Sequence, residues 1–195
     1  MKRIGLFGGT FDPVHVGHLL AAEAAREAAG LEEVWFVPAA VPPHKPAPAA
    51  SARQRLDMLE AAVRGVDGFR VEPVELERPG PSYTIDTVTA LQARWPDWTF
   101  FWIVGSDMAN DLPRWRHAEQ LAARIGFIAL ERPGETIREE DLPGYLRGRL
   151  LRAPMPPIGI SSSDIRRRVR EGRSIRFLVP EAVREYVTRN GLYAS

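Results

Sequence analysis

Ile4-Gly5-Leu6-Phe7 runs without a break into Gly8-Gly9-Thr10-Phe11-Asp12-Pro13-Val14-His15-Val16-Gly17-His18, and an alanine-rich stretch follows. The apolar run reads as a first strand, and Leu19 to Ala29, stopped by Gly30, reads as a helix. Glycines between a strand and a helix let backbone N–H groups come close to a phosphate, and the N-terminus of the helix adds partial positive charge. A glycine pair by itself fits an ordinary tight turn equally well. Two histidines at the helix mouth shift the reading to an anion site, because both imidazoles can point at one phosphoryl group. A metal pair would need a third ligand; the chain has no cysteine and no evident third ligand at suitable spacing, so no metal site is expected. The Gly-Lys-Ser/Thr ending of a P-loop and the Gly-x-Gly-x-x-Gly dinucleotide fingerprint are both missing, which weakens kinase and dehydrogenase readings.

Outward from this stretch, apolar runs alternate with amphipathic ones, the pattern of strands separated by crossover helices. Val34 to Val37 reads as a second strand and Pro38 to Ala50 as a proline-rich loop. Ser51 is a candidate N-cap for a helix carrying Arg53 to Val63. Phe69 to Val74, Phe100 to Val104 and Ile125 to Leu130 are further strands, and Tyr83 to Arg94 has helical spacing through Ile85, Val88 and Leu91. Glu131 to Arg152 is charged and irregular, and is read as a helix-containing excursion. A short helix entered through Ser161 to Ser163, and a last one over Pro180 to Arg189, close the chain. The fold class is α/β, with a parallel sheet whose ligands bind at the carboxyl ends of the strands.

The 195 residues are expected to form one domain over 1–195, with a formal net charge of +1. So small a charge argues against a nucleic-acid partner, since neutralising many phosphates needs a visible basic excess. Neither a signal peptide nor an apolar run of about 20 residues is present, so no membrane partner and a cytoplasmic location are expected. A homo-oligomer is compatible with the sequence. Lys2 and Lys45 are the only lysines in an arginine-rich chain, and Lys45 stands out inside the proline-rich loop.

Near the C-terminus stands Ile160-Ser161-Ser162-Ser163-Asp164-Ile165-Arg166. Consecutive serines cap a helix and offer hydroxyls and N–H groups to phosphate oxygens, and Arg166 supplies a forked cation one turn in. The two motifs together resemble the His-x-x-His and Ser-Ser/Thr-x-x-Ile-Arg signatures of the nucleotidyltransferase superfamily. That resemblance implies a Rossmann-like parallel sheet with helices on both faces, and adenylyl or cytidylyl transfer. In that family the two histidines stabilise charge on the α-phosphate while a substrate phosphate attacks it, a role His15 and His18 inherit by resemblance. The implied ATP-binding set is Gly8, Gly9, Thr10, Phe11, His15, His18, Gly105, Asp107, Ile160, Ser161, Ser162, Ser163 and Arg166.

Further segments extend the resemblance along nearly the whole chain to bacterial nicotinate mononucleotide adenylyltransferases. Val41-Pro42-Pro43-His44-Lys45 is similar to the family loop whose cation reaches the ATP phosphates, making Lys45 a catalytic candidate with His15, His18 and Arg166. Pro81-Ser82-Tyr83-Thr84 precedes a helix whose N–H groups suit a carboxylate, and in the family this is where the nicotinate carboxylate binds. Leu112-Pro113-Arg114-Trp115 resembles the segment whose tryptophan stacks on the pyridine ring; Arg116 stands where many relatives carry an aromatic. Thr10, Lys45, Tyr83, Thr84, Trp115 and Arg116 are thus the implied nicotinate-nucleotide set. Asp107, after a strand, suits ribose hydroxyls, a metal ion or helix capping. Arg132-Pro133 resembles a family segment near the adenine. ATP and nicotinate mononucleotide are the implied substrates, with Mg2+ arriving on the ATP phosphates.

Overall fold

The computed structural model describes residues 1–41 and 46–195. Its six strands, β1 (Arg3–Gly9), β2 (Glu33–Pro38), β3 (Phe69–Val71), β4 (Thr99–Gly105), β5 (Gly126–Glu131) and β6 (Leu150–Pro154), form one sheet in the order β3-β2-β1-β4-β5-β6. Every neighbouring pair is parallel. The order reverses between β1 and β4, so their carboxyl ends, Gly9 and Gly105, flank the crevice that such a sheet offers to ligands.

Parallel strands covered on both faces read as continuous apolar runs, and alternate residues then serve opposite cores. Val34, Phe36, Phe101, Ile103, Ile128 and Leu130 pack on the face covered by α1 (Val16–Ala29), α2 (Ala52–Val63), α6 (Ser162–Arg170) and α7 (Glu181–Arg189). Ile4, Leu6, Trp35, Val37, Phe100, Trp102, Val104, Phe127 and Ala129 serve the other face, under α3 (Thr84–Arg94), α4 (Ser106–Asp111) and α5 (Ala118–Arg124). Among the described residues no helix is long and apolar enough to cross a membrane.

The Rossmann-like α/β architecture expected from the sequence is present, and several boundaries differ for physical reasons. The first helix starts at Val16 rather than Leu19, because His15 caps it. The third strand stops at Val71: Glu72 N still donates to the Phe36 carbonyl, but the next residue of β2 in line to donate back is Pro38, which has no N–H. The 131–152 region is corrected most. Among its described residues the only helical piece is a 3-10 turn at Glu139–Asp141, and its end, from Leu150, is the edge strand β6. An edge strand with exposed Leu151 and Arg152 lacks the buried apolar run that marks β4 and β5. Helices α4 and α5, of six and seven residues, are too short to display a helical period and were not anticipated.

Candidate active site

The first motif folds as an interlocked unit. His15 is the N-cap of α1, and its Nδ1 accepts the backbone N–H of His18 at 3.3 Å; the Nδ1 of His18 in turn accepts the backbone N–H of His15 at 3.1 Å. The rings stack with centroids 3.7 Å apart and planes 23° from parallel. Since each Nδ1 is an acceptor, the proton of each neutral ring sits on Nε2, which is left as a donor. Burial, reinforced by the charge of Arg132, lowers the pKa of His15 to about 4. Burial, then His15 and Arg132, hold His18 well below the usual range. Both rings are therefore neutral near pH 7.

Two glycines of the motif are required by close approaches. A Cβ on Gly17 would lie 2.9 Å from the His15 ring, so only glycine lets that imidazole fold back over the helix start. A Cβ on Gly8 would lie 2.6 Å from the indole of Trp102. Gly8 and Gly9 end β1, paired with Val37 and Pro38 of β2, instead of sitting in the turn after it. Phe11 follows in a left-handed conformation, φ 51°, and sets its ring edge-on to His18 at 5.0 Å.

The second motif clasps the first. Ser161 caps α6 by accepting from Asp164 N, Ser162 Oγ donates to the Pro13 carbonyl at 2.8 Å, and Arg166 Nη1 donates to the Asp12 carbonyl at 2.7 Å. Ser163 Oγ is 3.4 Å from Arg166 Nη2. The N-termini of α1 and α6 and one guanidinium thus converge beside the two histidines. Ile160 is half-buried against the α1 core just before this cap.

The remaining candidates lie along the strand ends. Tyr83 is the N-cap residue of α3 but makes no side-chain cap, and the Arg116 guanidinium lies 4.7 Å over its ring. Trp115 packs on the same face of the sheet, and Thr84 opens α3. Ser82 Oγ accepts the Ala40 N–H, tying this segment to the chain leaving β2. Gly105 is the N-cap residue of α4, and Asp107, in its first turn, is exposed and lines a depression with Asn110, Glu135 and Arg138. Arg132 is close enough for its charge to act on both histidines. Lys45 lies outside the described residues.

Three supporting residues escaped the sequence reading. Arg55, 1 % exposed, donates from Nη1 to the carbonyls of Thr10 and Ala39 at 2.9 and 2.8 Å. Its signal was a charge on the buried stripe Arg55, Met58, Leu59, Ala62 of α2. Asp12 is buried and accepts from Ala49 N, Ala50 N and the Tyr193 hydroxyl. Tyr193 comes from the far end of the chain and carried no local signal.

The cytidylyltransferase-like family matches residues 6–168. A "Probable nicotinate-nucleotide adenylyltransferase" of Bacillus pumilus is 44% identical over 196 residues, covering 100% of both chains. Another of that name from Thermus thermophilus is 46% identical, covering 98% of this chain and 99% of its own. The fold is shared with a Plasmodium falciparum nicotinic acid mononucleotide adenylyltransferase solved in complex with NaAD, at a TM-score of 0.81 and 21% identity over 99% of this chain and 98% of that one. With full-length relatives at this identity, the chain belongs to the nicotinate-nucleotide adenylyltransferase family.

Proposed function

We propose that the chain, acting as one domain over 1–195, transfers the adenylyl group of ATP to nicotinate mononucleotide, giving nicotinate adenine dinucleotide and pyrophosphate for NAD biosynthesis. The observation that carries this reading is the reciprocal cap of His15 and His18, which presents two neutral Nε2–H donors side by side at a helix N-terminus. A phosphate oxygen of nicotinate mononucleotide attacks the α-phosphorus of ATP; the bond from that phosphorus to the α,β-bridging oxygen breaks, and pyrophosphate leaves with the electron pair. Charge grows on the α-phosphoryl oxygens, where fixed neutral donors and a helix N-terminus stabilise it with little reorganisation. The attacking phosphate is already anionic, so no general base is needed.

Arg166 and the α6 N-terminus hold the triphosphate in this scheme, with Lys45 as a second cation. Gly8, Gly9, Thr10, Phe11, Gly105, Asp107, Ile160 and Ser161 to Ser163 line the ATP path. The α3 N-terminus at Thr84, with Arg116 over Tyr83, supplies positive potential for the nicotinate carboxylate, and Trp115 a flat partner for the pyridine. Among the described residues no group of three His, Asp or Glu side chains could hold a metal ion. In this proposal magnesium arrives on the ATP phosphates, since it favours oxygen ligands and keeps several of its waters. A cytoplasmic setting belongs to the same proposal. Product analysis tests it: the dinucleotide and pyrophosphate form in equal amounts from MgATP and nicotinate mononucleotide, and formation of ADP instead would overturn it.

A further inference from the structure

The carboxylate of Asp12 is the meeting point of four segments. Its Oδ1 accepts the Ala50 N–H at 3.0 Å and the Tyr193 hydroxyl at 2.7 Å, and its Oδ2 accepts the Ala49 N–H at 2.7 Å. Arg166 lies beside it without closing the pair: Nη1 is 3.9 Å from Oδ2 and instead donates to the Asp12 backbone carbonyl at 2.7 Å. An arginine next to a buried carboxylate normally settles into a forked, two-bond pair, the strongest arrangement open to it. Here three other donors occupy the carboxylate oxygens.

Tyr193 reaches this point at some cost. It follows α7 and Gly191, sits in the left-handed backbone region at φ 64°, and is 9% exposed. Bulky residues rarely adopt that conformation, and it persists where the surroundings over-determine it. The ring packs in the α1-face core, and its hydroxyl faces Asp12. Burial, with the carboxylate beside it, holds the phenol well above its ordinary pKa, so it remains a donor at every physiological pH.

We propose that Tyr193 is a positioning residue for ATP binding: by occupying Oδ1 of Asp12 it prevents a forked Asp12–Arg166 pair and keeps the Arg166 guanidinium available to the triphosphate. The inference rests on the reading of Arg166 as a phosphate-binding residue. Without the hydroxyl, Oδ1 keeps only the Ala50 N–H, and among the described residues the cation closest to this carboxylate is Arg166. The guanidinium then spends its fork on the protein instead of on ATP.

Tyr193→Phe keeps the ring and removes only the hydroxyl. Initial rates of the full chain, with MgATP and nicotinate mononucleotide varied in turn, give a KM for ATP raised by about tenfold, the scale of one charge-assisted hydrogen bond. The KM for nicotinate mononucleotide and kcat stay within about twofold, and thermal melting confirms the folded state. In an Arg166→Ala background, where the KM for ATP is already high, adding Tyr193→Phe changes it no further. A tenfold effect of Tyr193→Phe in both backgrounds, or a joint drift of kcat and both KM values, marks a merely structural tyrosine and overturns the inference. So does an unchanged KM for ATP in Tyr193→Phe when Arg166→Ala raises it. If Arg166→Ala itself leaves the KM for ATP unchanged, the phosphate-binding reading of Arg166 fails first and the inference falls with it.

Discussion

His15 and His18 cap one another: each Nδ1 accepts the other's backbone N–H, and the stacked rings are thereby fixed in one tautomer. A helix cap and a pair of phosphoryl donors are thus the same two side chains. Their structural and chemical contributions can be separated, because an N-cap asks only for an acceptor whereas the proposed chemistry asks for an Nε2–H.

Asparagine is among the best N-cap residues, so His15→Asn keeps an acceptor for the His18 N–H. Unfolding free energy is expected to stay within about 1 kcal/mol of the parent. Turnover is expected to fall roughly 100-fold, the scale of one lost transition-state donor. Thermal melts and steady-state rates on the same preparation check both halves, and near-parental kcat contradicts the assigned role.

The acid side of the pH profile reports on the same pair. A histidine whose folded pKa is lowered from 6.5 to about 4 is neutral in the fold throughout that window, while the unfolded chain binds the proton. Stability from this burial is therefore complete above pH 6.5 and drains away as pH falls from 6.5 toward 4. Turnover should stay flat from pH 8 through 6, with its acid loss tracking unfolding nearer pH 4. A kcat limb with an ordinary histidine midpoint, in protein still folded by circular dichroism, would show that the rings are not held neutral.

Gly8 is explained by packing against Trp102. Gly8→Ala forces a methyl into the indole and is expected to destabilise by about 1–3 kcal/mol. Shrinking the neighbour restores room, so Gly8→Ala with Trp102→Phe should be less unstable than the two single changes summed. Chemical denaturation of the four proteins decides it, and strict additivity counts against the contact.

Arg55 joins the exit of β1 to the exit of β2 by donating to Thr10, Ala39 and, at 3.5 Å, Ala40. Arg55→Met fills similar volume but leaves buried carbonyls without donors and removes one of the two guanidinium charges near Asp12. The expected loss is about 3 kcal/mol or more. A loss under about 1 kcal/mol by denaturant titration would mean that water or a rearranged backbone replaces the guanidinium.

These buried contacts also explain what could be read in the sequence. Strands such as Phe100 to Val104 announce themselves because both faces are covered, and the two phosphate motifs combine local spacing with local chemistry. The edge strand β6 is largely exposed, and its start merges in the sequence with the charged 131–152 stretch read as a helix-containing excursion. Asp12 stands inside the first motif, yet its partners Ala49, Ala50 and Tyr193 are brought to it by folding, across as many as 181 positions. Arg55 was legible in principle as a charge on an apolar helical stripe; its carbonyl partners were not. The clasp of Ser162 and Arg166 on Pro13 and Asp12 is likewise a product of the sheet, which sets α1 and α6 on one face.

The central claim is adenylyl transfer to nicotinate mononucleotide, and pyrophosphate release measures it most directly. With MgATP and matched concentrations of nicotinate or nicotinamide mononucleotide, release should be rapid with the acid and much slower with the amide, which lacks the charge that the α3 N-terminus and Arg116 favour. No release above the ATP-only rate with either nucleotide would contradict the account.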